Sequence, residues 1–103
     1  MSVSFEVNAQ QNEVTICVAG QLIFNLIHEF REIYQTVNNP NKVIVDLAET
    51  EYIDSSGLGI LIYLRKHFHC QRDNIQLINC NQQVAKTLNI ASFSKLFTIS
   101  QSQ

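Results

Sequence analysis

The spacing of hydrophobic and polar positions changes several times along the chain, and each change predicts a different element. Residues 4–8 alternate between polar and apolar side chains, and residues 14–18 do so less strictly. The polar residues 10–12 between them are typical of a tight turn. We therefore expect residues 4–18 to form a β-hairpin.

A helical spacing replaces the alternation at Ile23. From there to Val37, apolar residues recur at steps of three and four, which gives one stripe of an amphipathic helix. Pro40 ends this pattern, because proline cannot continue a helix and disfavours helical geometry in the residue before it. The first helix is therefore predicted over residues 23–37.

The rest of the chain alternates between apolar runs and helical spacing. The run at residues 43–47 is typical of a strand that is covered on both faces. A second helix is predicted over residues 56–70, with one side formed by Leu58, Leu61, Ile62, Arg65 and Phe68. The remaining predictions are a strand at 75–78, a helix at 82–89 with Val84, Ala85 and Leu88 facing inward, an edge strand at 96–99 and a frayed polar tail at 100–103.

This order of elements predicts an α/β fold. Two strands come first, and helices and strands then alternate to the end, as in sheets with right-handed crossover helices. Because of the hairpin, the sheet is expected to be mixed, with about four to five strands and helices packed against it. At 103 residues, the chain is expected to form one domain over residues 1–103.

Composition and charge argue against several classes of function. The apolar fraction of 46% and the charged fraction of 16% fit an ordinary globular protein. A net charge of -2 with scattered basic residues argues against a nucleic-acid partner. Cys17, Cys70 and Cys80 show no C-x-x-C spacing and are expected to be reduced core thiols. With no signal-peptide pattern and no long apolar run, we expect a cytoplasmic protein without a membrane partner.

The serines that precede a glycine invite a comparison with enzyme motifs, which the chain does not match. The hydrolase elbow G-x-S-x-G needs a small residue two positions before and after the serine, and neither Ser55 nor Ser56 has both. A phosphate-binding G-x-G-x-x-G run would need a glycine where the chain has Ile62. We therefore expect no enzymatic activity, no catalytic residue, no cofactor and no metal site.

The turn at residues 54–59, Asp-Ser-Ser-Gly-Leu-Gly, stands at the predicted start of the second helix. Asp54, Ser55 and Ser56 are all good N-caps, but capping needs only one side-chain oxygen. A second hydroxyl is therefore left available for modification. Gly57 and Gly59 each cost about 1 kcal/mol relative to alanine in a helix. One reason to keep them is close approach by another molecule.

A phosphoserine at this turn is expected to act on a docked partner rather than on the fold. The helix N-terminus favours an anion by about 0.3–1 kcal/mol. Two like unit charges about 4 Å apart, at an effective dielectric constant near 20, repel each other by about 4 kcal/mol. A cost of this size weakens binding by about a thousandfold.

Four stretches of the chain resemble one known family. They are Ala19-Gly20-Gln21-Leu22, Asp46-Leu47, the turn at residues 54–59, and residues 75–94, IQLINCNQQVAKTLNIASFS. Together they are similar to the STAS domain, specifically to that of the bacterial anti-sigma factor antagonists. The resemblance implies a glycine-containing turn at residues 19–22, after the second strand.

In that family, an anti-sigma factor that is also a serine kinase binds the turn and phosphorylates a serine in it. The unmodified antagonist holds the anti-sigma factor and so frees the sigma factor, and a PP2C-type phosphatase resets the system. By position, the resemblance implies that Ser55 is the phosphorylated residue. It implies a docking surface formed by Asp54, Ser56, Gly57, Leu58 and Gly59. The protein would then be a phosphoprotein that regulates transcription and needs no cofactor.

Two positions depart from the family pattern, and two other functions stay open. Ile23 stands where many members have an aspartate, and residues 72–74 replace a glycine pair that often precedes the fourth strand. A STAS module without phosphoregulation, such as a sensory-complex scaffold or an accessory subunit of lipid transport, would use its serines only as caps. A small serine hydrolase would need Asp54 and a histidine beside a reactive serine.

Overall fold

The computed structural model describes residues 2–102, which form six strands and three α-helices. The strands are β1 (Ser2–Asn8), β2 (Glu13–Leu22), β3 (Lys42–Asp46), β4 (Thr50–Ile53), β5 (Ile75–Cys80) and β6 (Thr98–Gln101). The helices are α1 (Ile27–Thr36), α2 (Ser55–His67) and α3 (Gln82–Ile90). Short 3₁₀ turns lie at Phe24–Leu26, Arg72–Asn74 and Phe93–Lys95. The predicted α/β class is confirmed.

The sheet is mixed, as the sequence predicts, but it has six strands rather than about four to five. Its strands lie in the order β1-β2-β3-β5-β6. β1 and β2 form the antiparallel hairpin, and the other pairs are parallel. β6 lies at the edge, which confirms the predicted edge strand with bounds shifted by two residues.

The core lies against one face of this sheet. Val14, Ile16 and Val18 of β2 are fully or almost fully buried, and their neighbours across the sheet on β3 and β5 are buried as well. On the opposite face Cys17 is exposed, while Ile44 of β3 is only half-buried. The prediction that β3 is covered on both faces is therefore wrong, because the helices and the core cover one face only.

β2 changes partners halfway along its length. Its pairing with β3 ends at Cys17, and from Gly20 onward it pairs in parallel with β4. Gly20 has a φ of 92°, and the register shifts between Gly20 and Gln21. Residues 19–22 therefore belong to a strand and do not form the predicted turn. Gly20 allows the backbone conformation of the irregularity in β2. The sequence prediction missed β4 entirely.

The helices follow the predictions with small shifts. The segment expected to be helical from Ile23 begins as the 3₁₀ turn and continues as α1. α2 buries Gly57, Ile60, Leu61 and Leu64, whereas Ile62, predicted to share one side of the helix with Leu61, is 43% exposed. Its inward stripe starts at Gly57 and not at Leu58, which moves the stripe by one residue. α3 buries Val84, Ala85 and Leu88 as predicted.

The C-terminal tail and the cysteines correct two further predictions. Ser100 and Gln101 belong to β6, and the Ser102 amide donates to the Cys80 carbonyl at 3.0 Å. The tail is therefore paired rather than frayed up to Ser102, and Gln103 lies outside the described residues. Cys70 and Cys80 are buried, but Cys17 is exposed. Burial raises the pKa of the Cys80 thiol to about 11.

None of the helices within residues 2–102 is both long and apolar enough to cross a membrane.

Candidate functional site

The turn singled out in the sequence joins the end of β4 to the start of α2. β4 ends at Ile53 and α2 begins at Ser55, so Asp54 alone connects them. The Asp54 amide donates to the Leu22 carbonyl at 3.4 Å. Because Leu22 is the last residue of β2, this contact holds the turn against the sheet.

Asp54 is the N-cap of α2. Its Oδ1 accepts a hydrogen bond from the Gly57 amide at 2.8 Å and another from the Ser56 hydroxyl at 2.7 Å. Both bonds favour the ionised carboxylate, the bond from the Ser56 hydroxyl most strongly, and together they lower the pKa of Asp54. One side chain therefore caps the helix, as the sequence argument requires, and the second serine hydroxyl is committed to that cap.

Ser55 stands apart from this network. It is the first residue of α2, and its side chain is exposed. Among residues 2–102, no hydrogen bond involving its hydroxyl is present. The first amides of a helix lack partners within the helix and carry partial positive charge. The free hydroxyl thus lies where an added anion is tolerated.

The two glycines of the turn differ in whether the structure explains why a glycine is needed. A Cβ on Gly57 would lie 2.9 Å from the Leu22 carbonyl carbon and closer still to its oxygen. Only glycine fits there, because α2 packs against the backbone at the end of β2. A Cβ on Gly59 would have no heavy atom within 4 Å. Approach by another molecule is therefore not needed to explain Gly57, and it stays a prediction for Gly59.

A groove runs along the outer surface from this turn, between α1 and α2. It has a volume of about 690 Å³. Its lining comes from both helices and the turn: Phe24, Ile27, Arg31, Tyr34, Gln35, Ser56, Gly59, Ile60, Tyr63 and His67. Most of these side chains are apolar or aromatic. We call this surface the α1–α2 groove.

Three aromatic side chains form one end of the α1–α2 groove. The Tyr34 ring lies 5.3 Å from the Tyr63 ring and 4.4 Å from the His67 ring, measured between centroids. Tyr34 is half-buried, and this desolvation raises the pKa of its phenol. The Tyr34 hydroxyl therefore stays neutral, and the Tyr34 ring packs against the rings of Tyr63 and His67.

The predicted site residues share one turn but differ in accessibility. Ser55 and Gly59 are exposed, Asp54 and Ser56 are half-buried, and Gly57 is buried. The sixth residue, Leu58, is half-buried and packs against the core. No hydrogen bond within the described chain joins a histidine to either serine, so the arrangement that a serine hydrolase needs is not formed among residues 2–102.

The sequence interpretation missed the α1–α2 groove. Phe24 and Tyr63 lie outside the inward stripes of their segments, and both are exposed. The signal in the sequence that could have indicated the groove is the presence of large aromatic residues outside the inward stripe of a helix. Exposed apolar patches commonly mark interaction sites.

Comparison with known proteins matches the fold and the sequence to one family. A family model for the STAS domain matches residues 4–103. A STAS-domain containing protein of Pseudomonas aeruginosa is 38% identical over 101 residues, which span 97% of this chain and 100% of that protein.

One further relative and one solved structure carry more specific names. The anti-sigma-B factor antagonist of Listeria monocytogenes is 25% identical over 103 residues, covering 96% of this chain and 90% of that protein. The solved structure of the anti-sigma factor antagonist SpoIIAA in its unphosphorylated form superimposes with a TM-score of 0.68 at 15% identity. The superposition covers 99% of this chain and 90% of SpoIIAA. At that identity, the likeness to SpoIIAA concerns the fold.

Proposed function

The chain belongs to the STAS domain family, and we propose that it is an anti-sigma factor antagonist controlled by phosphorylation of Ser55. In this proposal the unmodified protein binds an anti-sigma factor that is also a serine kinase. Phosphorylation releases that partner, and a PP2C-type phosphatase removes the phosphate. The protein is the substrate in this cycle and not an enzyme.

One observation carries the proposal: the two adjacent serines have different roles. The Ser56 hydroxyl is bonded to Asp54, whereas the Ser55 hydroxyl is exposed and unbonded within the described residues. A kinase needs an accessible hydroxyl, and only Ser55 of the pair offers one without breaking a hydrogen bond to Asp54. The name of the Listeria relative supports the same class of function.

The position of Ser55 explains how a phosphate would act without unfolding the protein. A phosphoserine carries about -1.5 to -2 charges. The N-terminus of α2 favours such an anion by about 0.3–1 kcal/mol. A docked partner with a negative group about 4 Å from the phosphate, in contrast, meets a new like charge, and a repulsion of about 4 kcal/mol weakens its binding by about a thousandfold.

The remaining parts of the proposal follow from this role. Asp54, Ser56, Leu58 and Gly59 form the surface around Ser55 that the partner contacts, while Gly57 holds the turn against β2. The single domain of residues 1–103 acts in the cytoplasm, as a phosphoprotein in the regulation of transcription.

The experiment that tests the proposal is phosphorylation by the anti-sigma factor kinases of the source organism. Purified protein is incubated with each kinase and ATP, and the modified residue is located by mass spectrometry. We expect one phosphate on Ser55 with one of these kinases and none on Ser55→Ala. The matched control is Ser56→Ala, which keeps the Asp54–Gly57 bond and should still be modified. A phosphate on Ser56, or none with any kinase, would contradict the proposal.

A binding measurement tests whether a negative charge at Ser55 weakens the complex with the partner, which phosphorylation data alone do not show. The dissociation constant of the kinase complex is measured for the wild type, Ser55→Ala and Ser55→Asp. We expect Ser55→Ala to bind as the wild type does and Ser55→Asp to bind at least about tenfold more weakly, since aspartate carries less charge than phosphate. Circular dichroism should show an unchanged fold.

A second candidate function is a STAS interaction module without phosphoregulation. The observation that favours it is that Asp54 caps α2 and Gly57 fits against Leu22, so part of the turn motif has a purely structural use. Equal partner binding by the wild type and Ser55→Asp, together with no phosphate uptake, would establish this second function instead.

A further inference from the structure

The α1–α2 groove is unusually apolar for an exposed surface. Phe24 is 62% exposed, Tyr63 is 54% exposed and Ile27 is 42% exposed. All three line the same groove. Single exposed apolar side chains are common, but a contiguous group beside a predicted docking turn marks an interaction surface.

The shape of the α1–α2 groove suits an extended or helical segment. On α1, Ile27, Arg31 and Tyr34 follow each other at helical steps, and on α2 the corresponding residues are Gly59, Tyr63 and His67. The two stripes therefore face each other across the groove. At Gly59 the space is open, since a Cβ there would meet nothing within 4 Å. An apolar side chain from outside has room at this point.

The charge of the α1–α2 groove selects the occupant. Its ionisable lining consists of Arg31, His67 and the two phenols of Tyr34 and Tyr63, and no carboxylate lines it. Arg31 is exposed, and among residues 2–102 it makes neither an ion pair nor a side-chain hydrogen bond. The absence of carboxylates from the lining contrasts with the chain as a whole, which has a net charge of -2. An unpaired guanidinium at this edge favours a partner carboxylate.

We infer that the α1–α2 groove binds an acidic amphipathic segment of the protein that docks on the Ser55 turn, with an apolar side chain over Gly59 and a carboxylate on Arg31. The inference rests on the proposed function for the identity of that protein. Ser56 and Gly59 line the groove, so a segment lying in it is already beside Ser55. The groove thereby extends the docking surface to α1 and gives the partner its specificity.

Two variants of the groove test this inference on the kinase that modifies Ser55. Gly59→Leu fills the open space and should weaken the complex by about tenfold to a hundredfold, the value of one buried leucine-sized contact. Arg31→Glu should weaken it by about tenfold, with the loss shrinking at high salt. Gly59→Leu also replaces a helical glycine, so its fold is expected to be at least as stable as the wild type.

The controls use exposed residues of α3, which does not line the groove. Ile90→Ala removes an apolar side chain that is 76% exposed, and Lys86→Glu makes the same charge reversal as Arg31→Glu. Both should bind within about twofold of the wild type. Unchanged binding by Gly59→Leu or Arg31→Glu, while Ser55 is still phosphorylated, overturns the groove inference but leaves the proposed control by phosphorylation of Ser55 intact.

A set of amphipathic helical peptides tests the chemistry of the groove without any kinase. The peptides share one leucine stripe and carry glutamate, glutamine or lysine on the polar face. The glutamate peptide should bind the wild type at least about tenfold more tightly than the lysine peptide, and Arg31→Glu should reverse that order. Equal binding of all three peptides overturns the inference, and so does self-association through the groove in sedimentation.

If no kinase modifies Ser55 but the peptide preference holds, the proposed function fails while the acidic, amphipathic specificity of the groove stands. The two ideas are thus separated by different measurements.

Discussion

The N-termini of α2 and α3 solve the same structural problem in different ways. Each helix follows a strand closely, and each has one polar N-cap: Asp54 accepts from the Gly57 amide at 2.8 Å, and Asn81 accepts from the Val84 amide at 2.7 Å. Asn81 also donates to the Thr50 carbonyl, which ties it to β4. Capping at both helices is thus complete with a single side chain.

The difference lies in what surrounds the caps. After Asn81 the next two residues are glutamines, whereas after Asp54 they are serines. The third residue is the buried Val84 in α3 but Gly57 in α2. Since α3 shows that a strand-to-helix junction of this fold needs neither hydroxyl nor glycine, the composition of the α2 turn reflects two added requirements. They are close packing of Gly57 against β2 and, for the phosphorylation that we propose, an accessible hydroxyl at Ser55.

The largest effect is expected when the third residue of α2 is given a side chain. Gly57→Ala places a Cβ against the carbonyl group of Leu22, and backbone cannot move aside as a flexible side chain does. We expect the free energy of unfolding to fall by about 3 kcal/mol, the upper end of overpacking costs. Urea denaturation followed by circular dichroism measures this loss.

Gly59→Ala is the matched control for Gly57→Ala. Its Cβ meets nothing within 4 Å, and alanine is favoured over glycine in a helix, so the free energy of unfolding should rise by up to about 1 kcal/mol. If Gly57→Ala were as stable as the wild type, α2 would have freedom to shift away from β2, and the packing explanation would be wrong.

An intermediate effect is expected from removing either cap. Asp54→Ala and Asn81→Ala each lose one hydrogen bond to a helix amide, and each should lower the free energy of unfolding by about 1 kcal/mol. Asp54→Ala also releases the Ser56 hydroxyl, so the kinase should lose its preference for Ser55 over Ser56. Asn81→Ala should leave that preference intact, as judged by mass spectrometry.

Only the α2 cap is expected to depend on pH. The hydrogen bonds from Ser56 and Gly57 lower the pKa of Asp54 in the folded state, so the folded protein binds that proton less readily than the unfolded chain. The stabilisation is complete above the unfolded pKa of about 3.9 and is lost as the pH falls through the lower folded value. Asp54→Asn keeps a cap but cannot titrate. The stability difference between it and the wild type should therefore shrink below about pH 4 in denaturation curves.

The smallest effect is expected from a charge at the first helical position. Ser55→Asp in α2 and Gln82→Asp in α3 each place an anion at a helix N-terminus. Each should raise the free energy of unfolding by about 0.3–1 kcal/mol at low salt. Thermal unfolding of the two variants measures this gain. A clear destabilisation by Ser55→Asp alone would mean that phosphorylation acts by disrupting the turn rather than by repelling a partner.

Much of the fold followed from sequence periodicity, but β4 did not. Thr50 and Ile53 are buried while the two residues between them are exposed, so β4 shows neither alternation nor an apolar run. Its pairing depends on a shift in β2 at Gly20, which is a property of tertiary structure. The turn that the resemblance implies at residues 19–22 is wrong for the same reason, because a glycine signals a local irregularity but not its kind.

The candidate site was predicted in outline from the turn at residues 54–59. Sequence alone left open which of three polar residues is the cap, because all three have suitable oxygens; hydrogen-bond geometry selects Asp54. The sequence also suggested that close approach by another molecule explains both Gly57 and Gly59. The structure instead explains Gly57 by its packing against the Leu22 backbone. The α1–α2 groove stayed hidden because its two walls come from segments that are distant in sequence.

The anchoring of the turn by Leu22 has a consequence for recognition. The Leu22 carbonyl accepts from the Asp54 amide, and α2 packs directly against the same group at Gly57. The loop that presents Ser55 is therefore preorganised. Ordering a loop when a partner binds normally costs conformational entropy. Here the turn is already ordered when the domain folds, so this cost does not arise on binding. A protein that docks on Ser55, as we propose, meets a turn that is already ordered, so it loses less binding free energy to the ordering of this turn.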